Sequence, residues 1–599
     1  MIWNTGVGGQ NPLDWVAEVT NILTAEAVMA GKLKIVVVGG VAAGPKAAAR
    51  ARRCDPQAEI TILEKGQFIS YAGCGLPYLL EGKVPKIEDL LATPVGVLRN
   101  PDFFRVVKNI TVLTGREALE IDRDKRVVKV REVATSRVES HAYDRLVLAT
   151  GAVPVRPRLP GIDLKNVFVL RHPGDGLDIL ARLTAGEARR AVLIGAGAIG
   201  LEVAEAMVAR GLEVTVVEAL GQVFPGWLDP EMGAMLQRHL ESKGVQVRTG
   251  ERVQSFLGDA HGSLEKVVTD RGEYPADLAV LAIGVRPNVE LARQAGLEIG
   301  QTGAIKVDAY LRTSDENIYA GGDCAEVYHR LLKRPVFVSS GQVANIHGRI
   351  IGTNITGGRV AFEGIVGTAV AKVFDYTVGC TGLTETLARQ EGMEVVTALA
   401  PGIDHAHYYP GAQFVGVKMV AARADGRLLG VQVVGPGEAA KRLDVAAAAL
   451  TFGATVTGLT QLNLGYSPPY STAIDVLANA AQVVENKLTG VAQGLSPLEV
   501  ADLTARGEDF VLLDVRTPAE IQEVRLKHPQ VTVVPLGKLR AKAEELPKER
   551  RYIPFCKFSL RGYEAQKILE GLGFRQVQFM DGGLVHWPYE LETGPPAGE

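Results

Sequence analysis

The sequence predicts an α/β protein of several domains, and three stretches carry that prediction. KIVVVGGVAAGPKAAARARR (34–53) runs from an apolar strand through a glycine turn into a helical segment, and EITILEK (59–65) adds a strand ending at Glu64. AVLIGAGAIGLEVAEAMVARGLEVTVVEA (191–219) repeats the arrangement and ends its second strand at Glu218. RYIPFCKFSLRGYEAQKILEGLGF (551–574) gives strand, loop and helix once more, now around a cysteine.

The first two units read as Rossmann-like dinucleotide-binding domains. A tight glycine turn lets backbone N–H groups approach a pyrophosphate, the helix N-terminus supplies positive potential, and an acid ending the next strand accepts from ribose hydroxyls. The second copy carries the full register, Gly195, Gly197 and Gly200 with Glu218. An acid there favours the free 2′-OH of NADH and repels the 2′-phosphate of NADPH. The first copy reads Gly39, Gly40, Val41, Ala42 and Gly44 with Glu64, and has valine where the middle glycine is expected. One such turn is weak evidence, but two in one chain imply one dinucleotide each. DRLVLATGAVPVRP (144–157) brings a strand into the Thr150–Gly151 turn, and TSDENIYAGGDCAEV (313–327) brings the strand Ile318–Ala320 into Gly322 and Asp323. Small residues followed by a carboxylate suit the ribityl and phosphate approach of a flavin.

Bulk properties narrow the class. A length of 599 residues allows roughly three to five domains. A hydrophobic fraction of 47% with 22% charged residues suits a globular protein. A net charge of −3 gives no electrostatic case for nucleic acid or an anionic membrane. No apolar run reaches the ~18 residues of a membrane span. Five cysteines, few and odd in number, are no disulfide framework, so a reducing cytoplasm is expected. Residues 1–31 read as an extension without the charged start and apolar centre of a signal peptide; WVAEVTNILTAEAVM within it is compatible with one amphipathic helix.

GGVAAG, SYAGCGLPY (70–78), the Ala-Thr-Gly turn, GAGAIGLE and YAGGDC follow one another in the order of the two-dinucleotide-binding flavoprotein disulfide reductases, which residues 32 to about 485 resemble. SYAGC resembles the Ser-Phe-x-x-Cys motif of the single-cysteine branch, which holds coenzyme A disulfide reductases, NADH oxidases, NADH peroxidases and persulfide reductases. Tyr71 stands in place of the phenylalanine and Gly73 in place of an asparagine common before the cysteine. The resemblance implies FAD in the first unit, NADH or NADPH in the second, Cys74 as the redox thiol, and Ser70 in substrate binding. Two-cysteine reductases use C-x4-C; positions 69–79 hold Cys74 alone. A single thiol alternates between thiolate and a bond to an external group: a coenzyme A thiol, a sulfane sulfur, or oxygen as sulfenic acid. Cys54, Cys324 and Cys380 are expected to be packing residues.

The His–Glu pair of two-cysteine reductases is not found near residue 470. HAHYYPGA (405–412) and NLGYSPPYSTA (463–473) instead resemble coenzyme A disulfide reductase segments, in which a tyrosine from each assists the cysteine. The matching positions are Tyr408 and Tyr466, with Tyr409 and Tyr470 as the neighbouring alternatives. His405 and His407 lack the further ligands of a metal site, and no metal is expected. Arginines at the positions of Arg50 and Arg53 hold the nucleotide end of coenzyme A in that family. Residues from about 360 to 485 resemble the superfamily's dimerisation domain, so the tyrosines are expected to serve Cys74 of the other subunit of a homodimer.

At the far end, FVLLDVRTPAEI (510–521), the loop from Cys556 to Arg561 and FMDGGLVHW (579–587) resemble a rhodanese, a sulfur transferase domain. Loop N–H groups and a helix N-terminus aimed at Cys556 would stabilise a persulfide, and Lys557 adds charge. The usual Gly-His-Ile-Pro-Gly-Ala turn is degraded to VRLKHPQVTVVPLG (524–537). The domains expected are therefore an extension (1–31), an FAD-binding domain in two parts (32–150 and 281–355), an NAD(P)H-binding domain (151–280), an α+β dimerisation domain (356–488) and a C-terminal α/β rhodanese domain (495–595). The whole chain resembles coenzyme A disulfide reductase–rhodanese fusions, also described as NADH-dependent persulfide reductases. That implies reduction of coenzyme A disulfide, coenzyme A persulfide or polysulfide at Cys74. Rival readings are an NADH oxidase cycling through sulfenic acid, a sulfurtransferase with a flavoprotein scaffold, and a non-enzymatic redox sensor.

Overall fold

The computed structural model describes residues 32–528 and 530–594; the extension at 1–31, with its expected helix, lies outside them. The strand Lys34–Val38 sits at the centre of a five-stranded parallel sheet in the order Ile318–Ala320, Arg145–Leu148, Lys34–Val38, Glu59–Glu64, Thr111–Thr114. Its four buried residues in a row reflect a strand covered on both faces, as parallel sheets require. Ile318–Ala320 arrives from far along the chain, which inserts the second nucleotide unit between two parts of the first. The helices Ala43–Cys54 and Gly341–Asn354 cross closely on this sheet: a Cβ on Gly348 would lie 2.5 Å from Ala43 O, and one on Gly352 2.4 Å from Ala47 O. That crossing sets Asp323 and the N-terminal end of Gly341–Asn354 beside the first glycine turn.

The second sheet is also parallel and five-stranded, in the order Val245–Thr249, Glu213–Glu218, Arg190–Ile194, Leu278–Leu281, Val167–Val169. Ala152–Pro154 and Val285–Pro287 pair antiparallel where the chain enters and leaves it.

The third unit is an antiparallel sheet in the order Ala369–Val373, Tyr376–Gly382, Leu428–Gly435, Phe414–Ala422, Val395–Ile403. The segment GVKMVAARADGRLLGVQVVG forms a hairpin between two of these strands, and helices Ala440–Thr451 and Val476–Leu488 close one face. Lys418 on this sheet is 2% exposed and pairs with Glu385 at 2.7 Å, Glu231 at 3.1 Å and Asp229 at 3.3 Å. Asp229 and Glu231 belong to the start of the helix Pro230–Ser242 in the second unit, so this buried cluster joins the two units.

The C-terminal unit has a parallel core of Val531–Val533, Val511–Asp514 and Tyr552–Phe555. In the degraded turn region, Val524–Leu526 pairs antiparallel with Leu591–Thr593. Arg516 and Asp514 of the LLDVR stretch form a buried bidentate pair at 3.0 and 2.7 Å, which makes that signature a structural clasp. The unit docks on the third sheet and on Pro230–Ser242, where Arg238 Nη2 donates to Val585 O at 3.0 Å. No helix among the described residues is long and apolar enough to cross a membrane.

Candidate active site

The two glycine turns are built alike. Gly39 (φ +109°) and Gly195 (φ +105°) adopt a conformation that side chains resist. A Cβ there would strike Ala149 O at 2.1 Å and Ala282 O at 2.5 Å, respectively. Gly44 and Gly200 let each helix pass over its turn, since a Cβ would lie 1.9 Å from Gly39 O and 2.0 Å from Gly195 O. The middle position differs in kind. A Cβ on Gly197 meets no protein atom within 4 Å, so the protein itself does not demand glycine there, which explains how Val41 is accommodated in the first copy. The strand-end acids are held identically. Glu64 accepts from Gly40 N and Gly66 N, both at 2.7 Å; Glu218 accepts from Ala196 N and Leu220 N, both at 2.8 Å. Each carboxylate is pinned to its turn and keeps lone pairs for a diol. Neither helix, Ala43–Cys54 or Ala198–Ala209, has an acid in its first turn.

SYAGC is fastened to the first turn. Ser70 holds φ +52° and its N–H donates to Gly40 O at 2.8 Å. Such strain persists only where the surroundings over-determine it. Cys74 lies in the single turn Gly73–Gly75, with Gly75 packed so tightly that a Cβ would lie 2.3 Å from Leu90 Cδ2. The residue is exposed, yet burial within its walls pushes the thiol up, and the Glu202 carboxylate pushes further, while the Arg171 guanidinium opposes them. Arg171 pairs with Asp323 at 2.8 Å, and Asp323 also accepts from Ser339 Oγ at 2.6 Å. Gly322 (φ +78°) donates its N–H to Nδ1 of the buried His347 at 3.2 Å, which places that imidazole's proton on Nε2. The Thr150 hydroxyl donates to Asn288 O at 2.6 Å, and Gly151 adopts φ +69°. Tyr71, the departure from phenylalanine, has its hydroxyl 2.8 Å from His172 Nδ1.

Glu202 lies in the helix Ala198–Ala209. Burial and the neighbouring Glu205 push its carboxyl up to about 7, against a hydrogen bond from Tyr78. It therefore changes charge in the neutral range beside the thiol. Replacing Glu202 with glutamine is expected to move the pH midpoint of Cys74 alkylation downward and to raise the neutral-pH rate several-fold. Iodoacetamide labelling followed by peptide mass measures it; an unmoved midpoint removes Glu202 from this site.

Tyr408 and Tyr466 meet at the surface of the third unit. The Tyr466 hydroxyl bonded to Tyr408 pushes the latter's pKa up, and both residues are exposed, as are Tyr409 and Tyr470. Ala406 N–H donates to Pro468 O at 3.2 Å and ties the two tyrosine loops together. His405 pairs with Asp404 at 2.8 Å, and His407 packs edge-on against Tyr408. Arg50 is half-buried and donates to Thr353 Oγ1 at 2.9 Å; Arg53 and Cys54 are exposed at the same helix end. Cys324 is buried, with its thiol 3.4 Å from Leu148 O and Gly321 O. Burial pushes the Cys380 thiol up to about 12 within its strand.

Cys556 follows the strand Tyr552–Phe555 and is 1% exposed. Its carbonyl accepts from Leu584 N at 3.0 Å, and the Lys557 carbonyl from Val585 N at 3.3 Å. The helix Leu560–Gly571 begins four residues further on. Arg561 makes a bidentate pair with Glu520 at 2.6 and 2.8 Å and also reaches the Cys556 sulfur. The Arg561 hydrogen bonds pull the Glu520 carboxyl down to about 2. Lys557 Nζ lies 5.5 Å over the Phe558 ring, and Phe558 stacks on Phe414 of the third sheet at 6.2 Å.

Residues 33–346 match the profile of the pyridine nucleotide-disulphide oxidoreductases. The chain belongs to that family. The pyridine nucleotide-disulphide oxidoreductase dimerisation domain matches residues 368–478, and a rhodanese-like domain matches 496–589. Over 455 residues, 76% of this chain and 99% of the relative, it is 39% identical to an NAD(P)H coenzyme A polysulfide/persulfide reductase of Pyrococcus horikoshii. Among solved structures, it is similar to a NAD-dependent persulfide reductase from A. fulgidus, with a TM-score of 0.89 and 42% identity over 93% of this chain and all of that one. It is also similar to the reduced CoADR-RHD of Bacillus anthracis, with a TM-score of 0.87 and 34% identity over 93% of this chain and 98% of that one. As a pyridine nucleotide-disulphide oxidoreductase, this chain is an enzyme that uses FAD and NAD(P)H. The first unit fits FAD: a left-handed Gly39, a helix without early acids, the pinned Glu64, and Asp323 behind left-handed Gly322 converge on one cradle.

Three participants escaped the sequence. Glu202 lies within GAGAIGLE, and its signal is a pair of acids, Glu202 and Glu205, on an otherwise apolar helix. Arg171 and His172 precede the helix Pro173–Thr184 and carry no motif; only the fold brings them to Asp323 and Tyr71.

Proposed function

We propose that the chain is a cytoplasmic, homodimeric NAD(P)H-dependent reductase of coenzyme A disulfide, coenzyme A persulfide or polysulfide, working through Cys74, with Cys556 as its sulfane-sulfur carrier. The observation that carries this is a lone cysteine on a strained loop hydrogen-bonded to the first nucleotide turn, Ser70 N to Gly40 O, 2.8 Å. Relatives named for coenzyme A persulfide and polysulfide support the substrate class. Bound FAD supplies a two-electron acceptor for the hydride of NAD(P)H and a donor toward sulfur.

The Cys74 thiolate attacks one sulfur of a coenzyme A disulfide. A Cys74–coenzyme A bond forms, and the other coenzyme A leaves with the bonding pair and takes a proton. Two electrons from NAD(P)H then break the mixed disulfide, releasing the second coenzyme A and restoring the thiolate. With a persulfide the same accounting yields one thiol and sulfide. Arg171 lowers the cost of the thiolate and Glu202 raises it, so the balance depends on pH. Tyr408 and Tyr466, exposed on one chain, serve Cys74 of the partner subunit as proton donors to the leaving thiolate. Arg50 and Arg53 offer cations to the coenzyme A phosphates. Glu64 and Glu218 bind the ribose hydroxyls of the two dinucleotides, and Glu218 favours NADH.

The test is NADH oxidation by the purified enzyme, under nitrogen with coenzyme A disulfide or polysulfide and separately in air without them. Anaerobic turnover that yields thiol or sulfide, with coenzyme A on Cys74 and extra sulfur on Cys556 by mass spectrometry, is expected. Turnover only in air would replace this reading with an oxidase.

A further inference from the structure

Asp581 is a buried carboxylate, 2% exposed, shared between two domains. One oxygen faces the sulfur-carrier loop: Oδ1 is 3.5 Å from Ser559 Oγ, which itself accepts from Gly582 N at 3.2 Å. The other faces the dimerisation domain: Oδ2 accepts from Leu399 N at 3.0 Å and pairs with Lys487 Nζ at 2.6 Å. Lys487 is fixed in turn by donating to Thr397 O at 2.8 Å. Ser559 stands three residues after Cys556 and holds φ +92°, a conformation that a serine keeps only when its surroundings impose it. The turn that follows Asp581 accounts for the rest of the loop. Leu584 N and Val585 N hold the Cys556 and Lys557 carbonyls, and Gly583 (φ +59°) passes so close that a Cβ would lie 2.5 Å from Cys556 O. Phe558 rests on Phe414 of the dimerisation sheet.

The strained segment of the loop is therefore braced by a side chain whose charge is neutralised in another domain. A desolvated carboxylate that loses its cation must take a proton or reach water, and either change alters what it offers Ser559. We propose that Asp581 is a positioning residue through which docking on the dimerisation domain sets the geometry of the Cys556 loop, so that Lys487, outside the rhodanese-like domain, controls sulfur transfer within it. This rests on the reading of Cys556 as a sulfane-sulfur carrier.

The transfer is assayed on the full-length holoenzyme with thiosulfate and cyanide. The Cys556 thiolate attacks the outer sulfur of thiosulfate, sulfite leaves with the bonding pair, and cyanide then removes that sulfur as thiocyanate and regenerates the thiolate. Lys487→Met is expected to lower this kcat/KM by about 10- to 100-fold, the scale of a sub-ångström misplacement. NADH-dependent reduction through Cys74 should stay at the wild-type rate. Lys487→Arg should restore most of the transfer, and Asp581→Asn, which keeps the shape and removes the charge, should reproduce the loss if Lys487→Met is poorly folded. The second readout is the pH profile of Cys556 alkylation, followed by mass, which needs no sulfur transfer. A raised midpoint with faster labelling above it in Lys487→Met supports the proposal even where wild-type protein transfers no sulfur, a result that would end the carrier reading alone. Wild-type alkylation and transfer in Lys487→Met and Asp581→Asn would overturn it.

Discussion

Replacing Cys74 with serine is expected to lower NADH-dependent reduction of coenzyme A disulfide or persulfide by about 10³-fold or more, while bound flavin and its reduction by NADH persist. A hydroxyl neither forms the mixed disulfide nor leaves from it, so the loss falls on kcat and on kcat/KM together. The site around the thiol tolerates the exchange. The loop is held by the backbone bond from Ser70 to Gly40 and by the tight packing of Gly75 on Leu90, neither of which uses the sulfur. The check is stopped-flow bleaching of the flavin beside steady-state assays with each acceptor. Serine protein that still releases sulfide at the native rate would move the chemistry to Cys556 and leave the flavoprotein half as a scaffold.

The parts of this enzyme visible in its sequence are those fixed by local backbone geometry. A glycine that must take φ near +105° before a helix, or that must let that helix cross, tolerates little else, so Gly39, Gly44, Gly195 and Gly200 announce both turns. The middle position does not show the same demand, because no protein atom lies within 4 Å of a Cβ there, and Val41 occupies it in the first copy. The Cys74 and Cys556 loops are legible for a similar reason, each being a short strand-end or turn motif. What was hidden arises from contacts between distant segments. Arg171 and Asp323 are brought together by the insertion of one nucleotide unit into the other. Asp581 belongs to FMDGGLVHW, yet its partners Leu399 and Lys487 lie in another domain. LLDVR gave the opposite lesson: its Asp514–Arg516 pair is buried and internal, so a recognisable motif turned out to hold a loop together.

The second large effect is one of stability. Lys418→Met should destabilise the junction between the second nucleotide unit and the dimerisation sheet by about 3–5 kcal/mol at neutral pH, because it strands Asp229 and Glu231 without their cation and leaves Glu385 with Arg389 alone. The sign of the pH dependence follows from the wild-type groups. Burial disfavours ionisation of Asp229 and Glu385, but Lys418, helped by hydrogen bonds from Thr386 and Gln432 at Asp229 and by Arg389 at Glu385, holds both carboxyls below their usual range. Burial likewise opposes the Lys418 charge, and the three carboxylates more than compensate, raising it. Depressed carboxyls contribute stability above their unfolded pKa of about 4 and lose it as pH falls through the folded values; a raised lysine contributes below its unfolded pKa of about 10. The native cluster is thus at full strength across the neutral range. Without Lys418 the burial is opposed only by Thr386 and Gln432 at Asp229 and by Arg389 at Glu385, so the folded carboxyl pKa values rise from their native positions and the deficit shrinks as pH falls through them. The deficit of Lys418→Met should therefore be larger at pH 8 than at pH 5, and Asp229→Asn with Glu385→Gln in the same chain should recover much of it. Thermal unfolding onsets at both pH values measure this, and an equal or reversed deficit would show that the cluster is not charge-balanced as described. Phe414, at the start of the strand that carries Lys418, supports Phe558 of the Cys556 loop, and the helix that opens at Asp229 carries Arg238 to Val585. Loosening this one buried ion cluster should therefore also slow the sulfur transfer proposed for Cys556, since both the strand and the helix that brace its loop carry charges of this cluster.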